Sequence, residues 1–314
     1  MRRAPADPCL VPAPVPAVEP TAPAGGVALA AGTLEGTTPP MNQPACAAFK
    51  ALHHDPGGPL LLPNAWDHAS AAALAGQGFT AIGTTSLGVA AAAGLPDGAA
   101  ATREETLRLA RRLGGDAFLL SVDAEGGFGD DPAEVAGLAR ELAQAGAVGI
   151  NLEDGRADGT LTPAPVHAAK IAAVKAAVPD LFVNARTDTY WLPDPRTAPE
   201  PETRRRLDAY RQAGADGVFV PGLTDPATIT ALVAHLRPSG IPLNILYSPT
   251  GPTVPELAAL GVRRVSLGSL LFRAALGAAV TAALGVRAGR DVAPAAPTYG
   301  EVQELSGGGD ATQI

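Results

Sequence analysis

FLLSVDAE at residues 118–125 is an apolar run that ends in charged residues, and the same pattern returns in VGINLED at 148–154, LFVNARTD at 181–188 and the shorter AIGTTS at 81–86. Continuous hydrophobic runs of this length are typical of parallel strands that are buried on both faces. In a barrel of such strands the carboxyl ends lie at one mouth, where the loops form active sites. The polar residues that end these four runs are therefore expected to meet at one site.

Strand-like runs alternate with helical patterns from residue 59 onward. Eight strands are predicted, at residues 60–66, 81–85, 118–122, 148–152, 181–185, 217–221, 242–246 and 264–267. Asp67 is a good N-cap for a helix that Gly78 stops, and Asp131 with Pro132 starts another. Eight strands with helices between them predict an α/β fold, a (β/α)8 TIM barrel. The alternative is a doubly wound open sheet, but the Gly-x-Gly-x-x-Gly turn that would support it is missing after the first strand.

Composition and charge exclude some classes of function. The chain has 314 residues, of which 46% are hydrophobic and 17% charged, enough for one large domain with a full core or for two modest ones. A formal net charge of −8 with scattered basic residues predicts no nucleic-acid partner. No uninterrupted apolar run approaches the roughly 20 residues that span a bilayer. The nearest candidate, residues 270–286, contains Arg273 and is predicted to be a packing helix, so no membrane partner is expected.

The first forty residues differ in composition from the rest. Pro, Ala and Gly dominate them, and such a stretch cannot bury enough surface to offset its ordering entropy, so residues 1–40 are predicted to be a disordered tail. Residues 41–290 are expected to form the barrel domain and residues 291–314 a flexible C-terminal tail. Two interpretations of Met41 stay open: a true start of translation, or an internal residue after a genuine tail.

A cytoplasmic location is expected. Arg2 and Arg3 supply the basic start of a secretory signal, but repeated prolines break the apolar core that such a signal needs. The two cysteines, Cys9 and Cys46, both precede the first predicted strand. They indicate no disulfide framework, which fits a reducing compartment.

Six short motifs together resemble the isocitrate lyase and phosphoenolpyruvate mutase superfamily. They are PNAWD at 63–67, TTS at 84–86, GLPDG at 94–98, DAEGGFG at 123–129, NLEDG at 151–155 and NARTD at 184–188. Five lie at or just after a predicted strand end, and one lies in a loop. The similarity runs from about residue 47 to about residue 284. It implies a Mg2+-dependent barrel enzyme that acts on a small-molecule carboxylate, a 2-oxo acid or a phosphonate or enolpyruvate relative.

Three carboxylates are candidate ligands for Mg2+. Asp123 and Glu125 stand two residues apart where a buried strand ends, so they share one face if the extended geometry continues that far. With Glu153 from the next strand they would give three hard oxygen ligands, which suit Mg2+ because it keeps several waters and binds through few carboxylates. The alternative is a solvated loop carboxylate or, for Glu125 and Glu153, a contact with the metal through water.

Arg186 follows an apolar strand and carries a planar guanidinium whose fork matches a carboxylate. The resemblance implies that Arg186 is a catalytic and substrate-binding residue, on the substrate carboxylate or on the developing oxyanion. The alternative is an ion pair with Asp188 or Glu153.

The resemblance also assigns roles to three residues after the second strand. Thr85 and Ser86 stand where the superfamily uses hydroxyl and backbone N–H groups to bind the substrate carboxylate. Asp97 matches a catalytic carboxylate near the substrate, with an ordinary Pro-Asp-Gly turn as the alternative. Asn64 and Trp66 are expected only to pack against or cap the first strand end.

Two loops of the superfamily are missing from this sequence, which narrows the reactions that the resemblance implies. Lyases that resemble this chain carry a Lys-Lys-Cys-Gly-His or related loop with a cysteine proton donor, whereas the loop at residues 155–161 reads GRADGTL. The lysine- and asparagine-bearing loop of the mutases is missing as well. What remains is cleavage or transfer at a C–C or P–C bond through an enolate, with Mg2+ and Arg186 as stabilisers. The alternatives are a catalytically idle barrel that serves as a binding module and a dinucleotide-dependent oxidoreductase, whose glycine fingerprint is absent.

The last predicted helix is a candidate contact between subunits. Residues 270–286 are richer in Ala, Leu and Val than one face of a lone surface helix requires. The resemblance implies that this helix packs on a neighbouring subunit of a homo-oligomer. Packing against its own barrel is the alternative.

Overall fold

The computed structural model describes residues 43–193, 198–290 and 296–305. Within these ranges, nine parallel strands form a nearly closed barrel with helices between them, which confirms the predicted fold class. The strands are β1 (Leu60–Leu62), β2 (Asn64–Ala65), β3 (Ala81–Thr84), β4 (Leu119–Asp123), β5 (Ala147–Glu153), β6 (Phe182–Arg186), β7 (Gly217–Val220), β8 (Leu243–Leu246) and β9 (Arg264–Ser266). The tail predicted at residues 1–40 lies outside the described residues.

The count of nine arises because the first predicted strand, residues 60–66, is divided at Pro63. β1 pairs with β9 and β2 pairs with β3, so the two pieces join opposite edges of the sheet. Asn64 spans this seam. Its Nδ2 donates to Thr84 O at 2.8 Å, and its Oδ1 accepts from Leu267 N at 3.0 Å and from Gly268 N at 2.8 Å. The side chain that was expected only to pack or cap therefore links the two edges of the barrel.

The helices follow the strands in the alternation that the sequence predicts. Within the described residues they are α1 (Gln43–Leu52), α2 (His68–Gly76), α3 (Ser86–Ala93), α4 (Arg103–Leu113), α5 (Pro132–Gln144), α6 (Ala164–Ala177), α7 (Pro199–Gln212), α8 (Pro226–Leu236), α9 (Val254–Ala259), α10 (Leu270–Arg287) and α11 (Tyr299–Glu304). Asp67 caps α2 by accepting from Ser70 N at 2.7 Å. Asp131 caps α5 through Ala133 N at 2.9 Å, so both predicted helix starts are confirmed.

α1 covers the amino-terminal end of the barrel. The Phe49 ring lies against Gly149 of β5, where a Cβ would approach the ring to 2.8 Å, so glycine makes this close contact possible. Phe49 meets the Phe182 ring edge to face at 5.4 Å, and the His53 ring stacks on Phe182 at 4.2 Å. All three rings are buried, so packed aromatic side chains fill this end of the barrel.

The middle of the barrel is polar. Asn151 of β5 and Asn184 of β6 are register partners, and Asn184 Nδ2 donates to Asn151 Oδ1 at 2.9 Å. Arg264 of β9 reaches the same oxygen from across the barrel, at 3.0 Å from its Nη2. Arg264 is 0% exposed, and burial lowers its pKa to about 9. Because side chains return to one face every second residue, this layer lies one step below Glu153 and Arg186.

α10 is apolar and largely exposed. Leu276, Val280 and Leu284 recur every four residues on one face and are 52%, 59% and 43% exposed. The length of 18 residues and the mean hydropathy of 1.5 would also suit a membrane span, for which a single such helix is weak evidence. The short helix α11 follows within the segment that was predicted as a flexible tail.

Candidate active site

Asp123, Glu153 and Arg186 are the last residues of β4, β5 and β6. Glu153 is the register partner of Arg186, and Asp123 is the register partner of Asn151. Three neighbouring strands therefore place two acids and one base at the carboxyl end of the barrel. This is the end at which barrel enzymes form their sites.

The Arg186 guanidinium is bound by two carboxylates. Its Nε and Nη2 donate to Asp188 Oδ1 and Oδ2 at 2.7 and 3.0 Å, and its Nη1 lies 2.6 Å from Glu153 Oε2. Burial lowers the pKa of Arg186, but the attraction of Glu153 and Asp188 outweighs burial, so the net shift is upward. The ion pairs that the sequence left open as the alternative to substrate binding are thus both present.

Asp123 is held by the end of β3 and the helix that follows it. Its backbone N–H donates to Thr84 Oγ1 at 2.9 Å, and its Oδ2 accepts from Ser86 N at 3.2 Å. Ser86 N lies in the first turn of α3, where the helix dipole favours a negative charge. Thr85, which is buried, occupies the N-cap position.

Ser86 connects Asp123 to Asp97, since its backbone N–H donates to Asp123 and its side chain contacts Asp97. The side chain makes a hydrogen bond to the Asp97 carboxylate, and Asp97 lies on the exposed turn after α3. Although Asp97 is exposed as a residue, its carboxyl group faces Ser86 and Asp123. Loss of solvent around that group raises its pKa, and the charge of Asp123 adds to the shift. The structure therefore brings Ser86, Asp97 and Asp123 together.

Glu125 turns away from the line of β4. Its φ of 47° lies in the left-handed region, so the extended geometry that would place Asp123 and Glu125 on one face ends at Asp123. The buried Glu125 carboxylate accepts from Thr102 Oγ1 at 2.5 Å and from Ala100 N at 3.2 Å. Burial raises its pKa, and the charge of Asp123 contributes to the increase. Asp123 and Glu125 therefore do not share one face of β4. The charge of Asp123 still acts on Glu125.

Five carboxylates lie near one another at this end of the barrel. They belong to Asp97, Asp123, Glu125, Glu153 and Asp188. Desolvation raises the pKa values of Asp97, Glu125, Glu153 and Asp188, and the charge of Asp123 adds to each of these shifts. An excess of negative oxygen ligands at the barrel mouth fits a divalent cation.

No three His, Cys, Asp or Glu side chains among the described residues stand close enough to hold a metal ion. Glu153 is engaged by Arg186, and Glu125 by the segment before α4. The three predicted ligands are therefore near one another but do not form a preassembled cage, and their role in metal binding stays a prediction.

A buried network behind Arg186 was missed in the sequence. Asp154 Oδ1 accepts from Asp188 N at 2.9 Å, and Asp154 Oδ2 accepts from Arg206 Nη1 at 2.8 Å and from Tyr210 Oη at 2.5 Å. Asp154 is 0% exposed. Because Arg206 and Tyr210 lie on α7, 52 and 56 residues further along the chain, no local pattern could indicate them. The network fixes the backbone that carries Asp188, and through Asp188 the guanidinium of Arg186.

The chain is similar to several known proteins. The family model described as phosphoenolpyruvate phosphomutase matches residues 49–287. An uncharacterised protein of Mycobacterium tuberculosis strain H37Rv is 44% identical over 256 residues, which cover 82% of this chain and 95% of that protein. An oxaloacetate decarboxylase of Ectopseudomonas mendocina is 33% identical over 195 residues, 58% of this chain and 64% of that enzyme. A crystal structure from Burkholderia cenocepacia J2315, provisionally described as a lyase or mutase, has 37% identity and a TM-score of 0.74, covering 86% of this chain and 98% of that one.

Proposed function

The chain belongs to the phosphoenolpyruvate phosphomutase family, and from that membership we propose that it is a Mg2+-dependent enzyme that cleaves or transfers at a C–C or P–C bond of a small 2-oxo acid. One observation carries the proposal. At the carboxyl ends of β4 to β6, a cluster of carboxylates with raised pKa values adjoins the guanidinium of Arg186. Such a cluster suits both a cation and an anionic substrate that the cation and the guanidinium bind together.

Asp123, Glu125 and Glu153 are the proposed holders of Mg2+. When bound, Mg2+ would act as a Lewis acid that polarises the 2-oxo group and stabilises negative charge on its oxygen. Asp123 is the central member because its charge acts on both of the others. A positive charge beside these acids would stabilise the ionised carboxylates of Glu125 and Glu153. It would thereby offset the desolvation that raises their pKa values.

Arg186 is the proposed ligand of the substrate carboxylate or of the developing oxyanion. Asp188 occupies two of its nitrogens, whereas Glu153 contacts Nη1 through one oxygen. Glu153 is therefore the partner that an incoming carboxylate displaces more easily, since Asp188 keeps the plane of the fork fixed. A Glu153 carboxylate released in this way is available to a cation.

Thr85 and Ser86 are proposed to bind the substrate carboxylate, because backbone N–H groups at the start of α3 favour an anion. Asp97, which accepts from the Ser86 hydroxyl, is the proposed catalytic carboxylate near the reacting bond. A raised pKa lies closer to neutral pH, so the carboxyl group can both give and take a proton there.

The proposed reaction does not use a cysteine proton donor, because the loop between β5 and α6 has none. Decarboxylation of a 2-oxo dicarboxylate is a reaction of the required kind. The bond between carbon 3 and the distal carboxylate breaks and CO2 leaves. The electron pair of the broken bond forms an enolate that later takes up a proton.

The proposal includes a cytoplasmic location and assembly into homo-oligomers.

A turnover screen tests the proposal. Oxaloacetate, phosphonopyruvate and methylisocitrate would be supplied with and without Mg2+, and at least one is expected to turn over only with the metal. Arg186→Lys should reduce kcat/KM by about 100-fold, because an ammonium keeps the charge but loses the fork. Arg204→Lys, at a half-buried arginine of α7 paired with Glu200, is the control and should behave as the wild type. No turnover of any acid, together with no Mg2+-dependent binding of oxalate, would contradict the proposal and favour an idle barrel.

A further inference from the structure

A cavity of about 410 Å3 adjoins the carboxylate cluster at the barrel mouth. Its wall includes Glu125, the turn after Asp97, Arg156 from the loop between β5 and α6, and Lys170 from α6. A volume of this size is in the range of small-molecule sites. Glu125 belongs both to the cluster and to this wall, and Gly155 of the wall lies against the Asp188 carboxylate, so the cavity borders the acids that surround Arg186.

Two cations of the cavity wall share one carboxylate. Arg156 Nη2 donates to Asp130 Oδ2 at 2.8 Å, and Lys170 Nζ donates to Asp130 Oδ1 at 2.9 Å. The hydrogen bond from Lys170 is the main cause that lowers the pKa of Asp130, so Asp130 is ionised at neutral pH. The three side chains together therefore carry one uncompensated positive charge.

The two cations are anchored differently. The Lys170 side chain is 3% exposed, and its Nζ also donates to Gly126 O at 3.0 Å, so the ammonium is a fixed part of the wall. The Arg156 side chain is 37% exposed, and its Asp130 partner is 58% exposed. A solvent-facing ion pair of this kind contributes little to stability, so Arg156 can exchange Asp130 for another anion at low cost.

The other acids of the wall are already engaged. Both Glu125 oxygens accept hydrogen bonds, from Thr102 Oγ1 and from Ala100 N. Asp158, at the rim, accepts from the backbone N–H and the hydroxyl of Thr160 within its own turn. Among the described hydrogen bonds Arg156 uses Nε, toward Thr162 Oγ1, and Nη2, which leaves Nη1 without a partner among the described residues. The cation that can accept a new ligand is therefore Arg156.

We propose that Arg156 and Lys170 bind the distal carboxylate of the substrate, which makes that substrate a 2-oxo dicarboxylate rather than a monocarboxylate. The inference rests on the proposed function, because it takes the 2-oxo acid end to lie at Arg186. Arg156 is the specificity-determining residue, since its guanidinium can meet a carboxylate with two nitrogens. Lys170 supplies a fixed positive charge next to the position that Asp130 leaves.

A comparison of two ligands distinguishes binding at the Arg156 subsite from binding at the 2-oxo acid end. Oxalate is a dianion that fills the 2-oxo acid end alone, whereas 3,3-difluorooxaloacetate adds a distal carboxylate and resists decarboxylation. Calorimetry with Mg2+ present would measure both affinities in the wild type, Arg156→Met and Arg156→Lys. Arg156→Met should weaken binding of 3,3-difluorooxaloacetate by about 10- to 100-fold, as expected for a lost charged hydrogen bond, and should leave oxalate affinity within about twofold. Arg156→Lys should give an intermediate loss. Arg204→Met is the matched control and should change neither affinity.

Equal losses for the two ligands in Arg156→Met, or no loss for either, would overturn the proposed subsite. A wild-type protein that binds oxalate with Mg2+ but gains no affinity from the distal carboxylate would also overturn it, while the proposed function would stand. A wild-type protein that binds neither ligand would overturn the proposed function itself and this inference with it.

Discussion

Asp188 binds the Arg186 guanidinium through both carboxylate oxygens, at 2.7 Å from Nε and 3.0 Å from Nη2. A pair of this geometry fixes the plane of the guanidinium as well as its position. Asp188 is fixed in turn, because its backbone N–H donates to the fully buried Asp154 at 2.9 Å. The direction in which Arg186 faces the barrel mouth is therefore set by contacts that lie behind it.

Gly155→Ala tests this positioning. A methyl group at Gly155 would overlap Asp188 Oδ2 and lie 3.1 Å from Asp188 Cγ, so the carboxylate must leave the position in which it binds Arg186. We expect kcat/KM to fall by about 10- to 100-fold, because small displacements of a binding group are costly. The measurement is steady-state kinetics with the acid that turns over, together with thermal unfolding to show that the fold persists.

Gly137→Ala on α5 is the matched control, since nothing lies within 4 Å of an added Cβ there. It should leave kcat/KM unchanged and raise the free energy of unfolding by about 0.5 to 1 kcal/mol, because alanine is the better helix former. If Gly155→Ala kept the full kcat/KM, Asp188 would not be the residue that orients Arg186.

His53 is expected to make the fold sensitive to acid. Burial, with the charge of nearby Arg264, lowers its pKa from 6.5 to about 3. The unfolded chain therefore takes up this proton near pH 6.5 and the folded protein takes it up near pH 3. The stabilising contribution is complete above pH 6.5 and is lost as the pH falls through that window, with about 2 kcal/mol lost at pH 5.

His53→Phe removes this titration and keeps an aromatic ring against Phe182. Urea denaturation at pH 7.5 and pH 5 would give the free energy of unfolding for both proteins. The decrease between the two pH values should be about 2 kcal/mol smaller in the variant. The same decrease in both proteins would show that His53 does not carry the acid sensitivity.

Much of the barrel could be predicted from the sequence because its signals are local. The apolar runs that end at Asp123, Glu153 and Arg186 show both the strands and their carboxyl ends, and the N-caps Asp67 and Asp131 show where helices begin. These features depend only on neighbouring residues.

The parts that escaped prediction depend on distant partners or on a single backbone angle. Arg264 looks like a surface residue in a short strand, yet it crosses the barrel to reach Asn151. Glu125 takes a positive φ that favours glycine, so a strand pattern could not show that it turns away from Asp123. The division of the first strand at Pro63 follows from the pairing of its two halves with opposite neighbours.

The exposed face of α10 predicts self-association. Leu276 and Val280 would bury their apolar surface against a second copy of the chain. Light scattering at micromolar concentration should return a multiple of the 31.5 kDa chain mass, and the double variant Leu276→Glu, Val280→Glu should shift it toward the single chain. A wild-type mass near 31.5 kDa would rule out this interface.

Calorimetric titration of Mg2+ into the wild type and Asp123→Ala tests the central claim most directly. Asp123 ends β4 and its charge acts on every other carboxylate of the cluster, so its removal should cost metal affinity more than stability. The account predicts Mg2+ binding to the wild type, none detectable in Asp123→Ala with a cooperative thermal transition retained, and wild-type affinity in the control Asp158→Ala, which lies in an exposed turn. Unchanged Mg2+ affinity in Asp123→Ala would contradict it.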